Sequence, residues 1–265
     1  MSDSTDCQYL LHSQYQNGAN LNARIQFHAL FSTNKYGWYR WLFDQFDLPA
    51  SARILEVGCG TAQFWASNAP RVPPGWSLTL TDMSPGMIAA AGQNVAALAD
   101  RVTLAVVDAQ ELPYEEASLD AVVANHMLYH VPDRHKALGE IRRVLKPGGC
   151  LYASTVGATH MAELDTLLHR FDPGVQRLDE PRPKAFLLEN GRDDLEPWFE
   201  RVQLHIYEDG LLVTEAEPLL AYLLSTLPQE VQESRRDDLA AFVEGELARQ
   251  GAVHIAKAQG LFQAS

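Results

Sequence analysis

The stretch that decides the fold is Ile54-Leu55-Glu56-Val57-Gly58-Cys59-Gly60-Thr61-Ala62. It predicts a buried strand, a glycine-rich turn and the start of a helix. Gly58 and Gly60 let the backbone turn tightly and approach a ligand, and Ala62 is the third small residue that lets the helix pack on the strand. The acidic Glu56 ahead of the turn disfavours a phosphate ligand and favours a cationic or polyhydroxyl one.

Three further strands are predicted downstream, and polar residues follow each of them. The predicted strands are 78–81, 102–107 and 119–124, with helical stretches at 84–98 and 132–145 between them. Mostly apolar strands are typical of a parallel sheet that is covered on both faces, and the βαβα alternation predicts a doubly wound α/β sheet. Ligands of such sheets bind beyond the carboxyl ends of the strands, so the polar residues are expected to converge on one crevice.

Four ordered motifs resemble those of class I S-adenosylmethionine (SAM)-dependent methyltransferases. They are Glu56-Val-Gly-Cys-Gly60, Asp82-Met-Ser84, Asp108-Ala-Gln110 and Leu145-Lys-Pro-Gly-Gly149. The run Leu128-Tyr-His-Val-Pro-Asp133 resembles the corresponding run in the small-molecule subgroup of these enzymes, which includes ubiquinone and menaquinone methyltransferases. The resemblance covers roughly residues 48–155 and implies a Rossmann-like, seven-stranded, mostly parallel sheet.

The resemblance also implies a division of the chain into three regions. Residues 1–47 would form an N-terminal helical lid, and residues 48–157 would form the SAM-binding core. Residues 158–265 would supply a substrate-chamber insert after strand 5, the last two strands of the sheet and C-terminal helices. Those last two strands are predicted at 202–207 and 211–214.

Contacts to the methionine and ribose parts of SAM follow from the resemblance. Glu56 and the turn backbone at Gly58, Cys59 and Gly60 would hold the methionine part. Asp82 would accept hydrogen bonds from both ribose hydroxyls, as a carboxylate after the second strand does for dinucleotides. S-adenosylhomocysteine (SAH) is the implied product of methyl transfer.

The adenine and sulfonium contacts complete the implied cofactor set. Met83 would lie against the adenine face, and Asp108 would accept from the adenine amino group, with Ala109 and Gln110 beside it. The residues implied near the sulfonium and the acceptor are Asn125 and His126. For any one strand-end residue, an ordinary capping role is the competing interpretation.

The N-terminal segment would contribute two further cofactor contacts by resemblance. Tyr15 would cover SAM, and Asn34 or Lys35 would reach its carboxylate. The alternative is that such residues have no cofactor role. For the aromatic residues at 38–46, packing against the sheet is the favoured interpretation.

Three side chains are candidates for contact with the methyl acceptor. His130 and its neighbour Tyr129 follow the fourth strand, and His28 lies on the implied lid. An unperturbed imidazole titrates near neutrality and suits a general base, although methyl transfer from SAM needs a base only if the acceptor must lose a proton. Each histidine could instead be structural. His126 and His130 are four residues apart, but the stretch follows a strand and lacks a carboxylate partner, so no metal site is expected.

Bulk properties limit the classes of partner. The formal net charge of −13 disfavours binding to a phosphate backbone, and no apolar run approaches the length of about 20 residues that spans a bilayer. The three cysteines are dispersed, which predicts neither a disulfide framework nor a zinc site and favours a cytoplasmic location. A monomer or homodimer is expected.

The predicted function is transfer of a methyl group from SAM to a small-molecule acceptor of apolar, aromatic or isoprenoid-like character. Two alternatives remain open. An NAD-dependent oxidoreductase would use a similar glycine turn and ribose carboxylate, although Gln63 stands where that class prefers Gly or Ala. A non-catalytic SAM-binding subunit would bind the cofactor without turnover.

Overall fold

The structure is a computed structural model that describes residues 18–178 and 185–265. The described chain forms two compact units. The sheet unit comprises residues 36–156, 185–207 and 259–265. The helical unit comprises residues 18–35, 157–178 and 208–258.

The sheet unit is built on a seven-stranded sheet that is mostly parallel. Its strands are β1 Arg53–Val57, β2 Ser77–Asp82, β3 Val102–Val106, β4 Leu119–Asn125, β5 Leu145–Val156, β6 Val202–Ile206 and β9 Gln259–Ala264. Their spatial order is β3-β2-β1-β4-β5-β9-β6, and β9 alone runs antiparallel to its neighbours. The strand order reverses between β1 and β4, so a crevice is expected at their carboxyl ends. The predicted doubly wound fold is therefore confirmed.

Five α-helices accompany the sheet within the described residues of this unit. They are α2 Trp38–Asp44, α3 Gln63–Asn68, α4 Pro85–Asn94, α5 Arg134–Val144 and α7 Gly191–Leu195. The Ser84 hydroxyl caps α4 by accepting from Met87 N, and the Asp133 carboxylate caps α5 by accepting from Lys136 N. These caps satisfy amide groups that have no partner within the helix, which fixes where each helix begins after its strand.

Strand periodicity divides the core of the sheet unit between the two faces of the sheet. Leu55 and Val57 pack in one buried cluster, and Ile54 packs in the other. Glu56 therefore points to the same face as Ile54, because successive strand residues alternate between faces. On β4 the same alternation places Asn125 on the face that carries Val123. Two polar side chains on neighbouring strands thus share a face and the carboxyl end of the sheet.

One predicted strand is wrong in its placement. The segment at 211–214 was expected to be the last strand of the sheet, but β7 Asp209–Val213 lies in the helical unit and pairs with β8 Val253–Lys257. The last strand is β9, which inserts between β5 and β6. Both segments have strand-like sequence, and pairing over long chain separations selects which of them joins the sheet.

The helical unit has its own apolar core. Its helices are α1 Gly18–Phe31, α6 Ala162–Phe171, α8 Ala216–Thr226, α9 Gln229–Ser234 and α10 Arg236–Gln250. Phe27 of α1, Leu223 of α8 and Val243 of α10 are fully buried together. A buried ion pair joins Asp209 of β7 to Lys257 of β8 at 2.6 Å. Among the described residues, no helix is both long and apolar enough to cross a bilayer.

Candidate active site

The glycine turn between β1 and α3 has the tight geometry that its sequence predicts. Gly58 and Gly60 adopt positive φ angles of 65° and 54°. A Cβ atom on Gly58 would lie 2.8 Å from Met127 Cβ, whereas one on Gly60 would meet nothing within 4 Å. Gly58 is therefore required both by its backbone conformation and by the close approach of Met127.

Glu56 lies at the centre of a buried hydrogen-bond network. Its side chain is 1% exposed, and its two oxygens accept from Trp65 Nε1 at 2.5 Å and from Asn125 Nδ2 at 2.8 Å. Asn125 Oδ1 in turn accepts from Ser154 Oγ at 3.4 Å. Burial raises the pKa of Glu56 to about 7, which the two hydrogen bonds oppose and the nearby Asp82 carboxylate reinforces.

Asp82 lies at the end of β2, next to the glycine turn. Its carboxylate accepts from Gly60 N at 2.9 Å and from Ser84 N at 2.8 Å. Burial raises its pKa, and these two hydrogen bonds oppose that effect. The carboxylate is therefore held in place by backbone amides on both sides, as an acceptor for ligand hydroxyls must be. Met83, the following residue, is 38% exposed.

Asp108 follows β3 and is tied to the start of α5 through Gln110. The Gln110 side-chain amide donates to both oxygens of Asp108 at 3.1 Å, and its Oε1 accepts from Asp133 N at 3.1 Å. Ala109 is buried in the core cluster on that face of the sheet. The loop after β3 therefore presents Asp108 from a fixed backbone, with Gln110 as its support.

His126 stands at the end of β4 in a left-handed conformation, with φ of 49°. Non-glycine residues rarely adopt this conformation, which clusters at functional sites. His126 N donates to Ser154 O at 3.2 Å and to Ser154 Oγ at 3.1 Å, which holds the turn. The ring begins an aromatic cluster consisting of Trp38, Trp41, His126 and Tyr207, whose centroids lie 5.1–5.4 Å apart in the contacting pairs.

Tyr129 and His130 form a short 3₁₀ helix directly after this turn. Their rings meet edge to face with centroids 4.5 Å apart. Burial lowers the pKa of His130 to about 4, so its imidazole is neutral at physiological pH and a weak base. The structure places both residues near the end of β4, and their contact with an acceptor stays a prediction.

Two of the candidate residues on the predicted lid lie in the helical unit. Asn34 lies in the helical unit, where its side-chain amide donates to Glu208 O at 2.8 Å. His28, also in that unit, packs edge to face against Tyr222. Tyr15 lies outside the described residues. The cofactor and acceptor roles of these three residues, and of residues 1–47 as a lid, stay predictions.

Three residues that contact the site were not among the candidates from the sequence. They are Trp65, Ser154 and Met127. Trp65 lies in the first turn of α3, directly after the glycine motif. Because the tight turn folds the start of α3 back beside the end of β1, this spacing could have suggested that Trp65 contacts Glu56. Ser154 and Met127 carry no such local signal, because sheet pairing and a turn bring them to the site. In the described part of the chain, no group of three or more His, Cys, Asp or Glu residues is arranged to hold a metal ion.

Comparison with known proteins agrees with this geometry. Residues 55–153 match a family described as a methyltransferase domain. A demethylmenaquinone methyltransferase from Staphylococcus aureus is 31% identical over 157 residues, which is 58% of this chain and 64% of that protein. The chain thus matches slightly less than two thirds of the length of this curated relative.

Two solved structures share the fold. A putative methyltransferase from Bacillus halodurans has a TM-score of 0.60 at 16% identity, covering 85% of this chain and 97% of that one. Phosphoethanolamine N-methyltransferase 2 from Haemonchus contortus, solved with SAM, has a TM-score of 0.59 at 20% identity, covering 100% of this chain and 60% of that one. Residues 55–153 of the sheet unit therefore match a methyltransferase domain, and the chain shares its fold with these two solved structures.

Proposed function

We propose that this protein binds SAM at the carboxyl ends of β1, β2 and β3 and transfers its methyl group to a small molecule. The observation that carries the proposal is that three adjacent parallel strands present the carboxylates Glu56, Asp82 and Asp108 toward their carboxyl ends, with the glycine turn directly after the first strand. Asp82 is already fixed by two backbone amides, and Glu56 and Asp82 place negative charge beside the turn. This arrangement fits a ligand with ribose hydroxyls and positive charge.

The glycine turn also brings the backbone close to its neighbours. A Cβ atom on Gly58 would lie 2.8 Å from Met127 Cβ, so only glycine allows the turn to approach Met127 this closely. When bound, SAM supplies a methyl group that its sulfonium already activates. The contribution of the protein is then mainly to position the acceptor, which is worth about 7–11 kcal/mol of the barrier in well-oriented reactions.

The proposed acceptor is an apolar, aromatic or isoprenoid-like small molecule. The aromatic cluster supports this proposal, because it begins at His126, one residue beyond the Asn125 amide that bonds to Glu56. The S. aureus relative is named for demethylmenaquinone, a substrate of the same class. A neutral His130 supports an acceptor that needs no strong base. The comparisons lend no support to an NAD-dependent oxidoreductase.

Calorimetry with SAM and SAH tests the cofactor part of the proposal. Asp82→Ala should weaken both ligands at least about tenfold, because the ribose hydroxyls lose a charged acceptor. The matched control is Asp120→Ala, at the opposite end of the sheet, where the carboxylate accepts from Arg53 N and pairs with Lys146. Equal affinities in wild type and Asp82→Ala would contradict the assignment.

Isotope tracing tests the acceptor. The protein is incubated with methyl-deuterated SAM and a metabolite extract, and new labelled species are sought by mass spectrometry. Label in an apolar small molecule, absent with Asp82→Ala, would support the proposed acceptor class. Binding of SAM with label confined to SAM itself would favour a non-catalytic SAM-binding subunit.

A further inference from the structure

The side-chain amide of Gln110 bridges the loop after β3 to the start of α5. Its nitrogen donates to both oxygens of Asp108 at 3.1 Å, and its oxygen accepts from Asp133 N at 3.1 Å. Since the Asp108 carboxylate offers only acceptors and the Asp133 backbone N–H only a donor, the two partners fix the orientation of the amide. An ionised glutamate lacks the donor and a lysine lacks the acceptor. The bridge therefore requires an amide side chain at this position.

The bridge leaves one oxygen of Asp108 with spare capacity. Oδ1 accepts from Gln110 N at 2.9 Å as well as from the Gln110 side chain. Among the described residues, Oδ2 accepts only from the Gln110 side chain. A carboxylate oxygen has two lone pairs, so Oδ2 can accept one more hydrogen bond. Gln110 thus determines which oxygen of this partly buried carboxylate is available to a ligand donor.

Side chains of α5 hold the rest of the loop independently of Gln110. Leu112 N donates to Glu140 Oε2 at 2.9 Å. The Arg143 guanidinium donates to Leu112 O and to Tyr114 O, each at 2.8 Å. A substitution at Gln110 is therefore expected to release the Asp108 carboxylate while the loop keeps its path.

Asp108 is the outermost of the three carboxylates that follow β1, β2 and β3. Because β2 lies between β1 and β3, Asp82 lies between Glu56 and Asp108, and the three strand ends span on the order of 10 Å. In an extended SAM molecule the ribose hydroxyls likewise lie between the ammonium group and the amino group of the base. Met83 and Val106, at the ends of β2 and β3, are apolar and 38% and 53% exposed, which suits a flat base. This order assigns the amino group of the base to Asp108.

We propose that Gln110 is a positioning residue, which holds Asp108 Oδ2 as the acceptor for the amino group of the cofactor base by tying the carboxylate to the start of α5. The inference rests on the proposed function, since it takes SAM as the ligand. Gln110 acts through Asp108 and does not itself contact the cofactor. Without the bridge the carboxylate can rotate, and binding must then pay for ordering it.

The experiment is calorimetry with two ligands that differ only in the base. One is SAH, and the other is S-inosylhomocysteine, in which an oxygen replaces the amino group. Wild type should bind SAH at least about tenfold more tightly, because only SAH donates to Asp108. In Gln110→Ala the affinity for SAH should fall and this preference should shrink to about threefold or less. The affinity for the inosine analogue should change little.

Gln110→Glu separates positioning from packing, because it keeps the shape of the side chain. Its carboxylate still accepts from Asp133 N, but when ionised it cannot donate to Asp108. SAH affinity relative to wild type should therefore be low at pH 8 and recover toward pH 5, where a proton shared by the two carboxylates restores the bridge. The other charged groups at this site, Lys136 and Glu111, are the same in both proteins. The difference between the two pH profiles thus reports the substituted side chain.

Glu111→Gln is the matched control. Glu111 pairs with Lys136 at 2.6 Å, so it joins the same loop to the same helix through a different contact. Because this ion pair is exposed, its loss should leave the affinity for each ligand within about twofold of wild type.

The outcomes distinguish the inference from the proposed function. If wild type binds SAH and the inosine analogue equally well, or if Gln110→Ala behaves as Glu111→Gln does, the inference is wrong and SAM binding stands. A Gln110→Glu profile that runs parallel to wild type from pH 5 to 8 would also overturn it. If neither SAM nor SAH binds to wild type, both proposals are wrong.

Discussion

The pH dependence of unfolding offers a direct test of the buried carboxylate, independent of any ligand. The pKa of Glu56 is about 7 in the folded protein, against 4.5 for an unperturbed glutamate. Between these values the folded state binds more protons than the unfolded state, so the free energy of unfolding falls as pH rises. The difference of about 2.5 pH units corresponds to a loss of about 3 kcal/mol by pH 8.

Glu56→Gln should remove this dependence, because an amide does not titrate. The substitution carries a constant cost from its altered hydrogen bonds to Trp65 and Asn125. The difference in unfolding free energy, variant minus wild type, should nevertheless rise by about 3 kcal/mol from pH 4.5 to pH 8. At high pH the variant is thus expected to gain stability relative to wild type.

The assay is urea unfolding at several pH values, followed by tryptophan fluorescence. All five tryptophans, at positions 38, 41, 65, 76 and 198, lie in the sheet unit, so the signal reports that unit alone. The matched control is Glu140→Gln in the same unit. Hydrogen bonding to Arg143 lowers the pKa of Glu140, so the ionised Glu140 stabilises the fold above its ordinary pKa and this stabilisation is lost on acidification. The pH dependence of the unfolding free energy from Glu140 therefore has the opposite sign to that from Glu56. A difference between Glu56→Gln and wild type that is constant with pH would refute the reasoning.

Three further predictions concern other parts of the chain. Gly58→Ala should lower the unfolding free energy by about 1–3 kcal/mol, because of its positive φ and the contact with Met127, as measured by urea unfolding. His130→Ala should leave the shape of the pH–rate profile between pH 6 and 8 unchanged, because the pKa of this imidazole is about 4. Asp209→Asn should destabilise the helical unit by about 3–5 kcal/mol, as measured by circular dichroism, because it leaves Lys257 buried and unpaired.

Each of these predictions has an outcome that would contradict it. Gly60 also has a positive φ, but a Cβ atom there would meet no other atom within 4 Å. Equal losses of unfolding free energy in Gly58→Ala and Gly60→Ala would therefore exclude the contact with Met127 as a cause. A kinetic pKa near 6.5 that disappears in His130→Ala would show that this residue titrates in the working range. For the ion pair, replacing both Asp209 and Lys257 with apolar residues should recover part of the stability; no recovery would exclude the unpaired charge as the cause.

Local sequence patterns were sufficient to predict much of the fold. The strand, glycine turn and helix at 54–62 depend on neighbouring residues, since φ freedom at glycine and apolar runs are local properties. The ordered carboxylates Asp82 and Asp108 could likewise be placed at strand ends, because parallel strands present their carboxyl ends at one edge. Both the doubly wound sheet and the resemblance of residues 55–153 to a methyltransferase domain followed from these signals.

Tertiary structure alone decided the features that depend on distant pairing. The sequence could not show that the 211–214 segment leaves the sheet and that β9 replaces it, because both segments have strand propensity and only long-range packing selects between them. It also could not show that Asn125, 69 residues away, bonds to Glu56. The side chain of Glu56 was visible in the sequence, but its pKa was not, because burial and neighbouring charge are properties of the folded site.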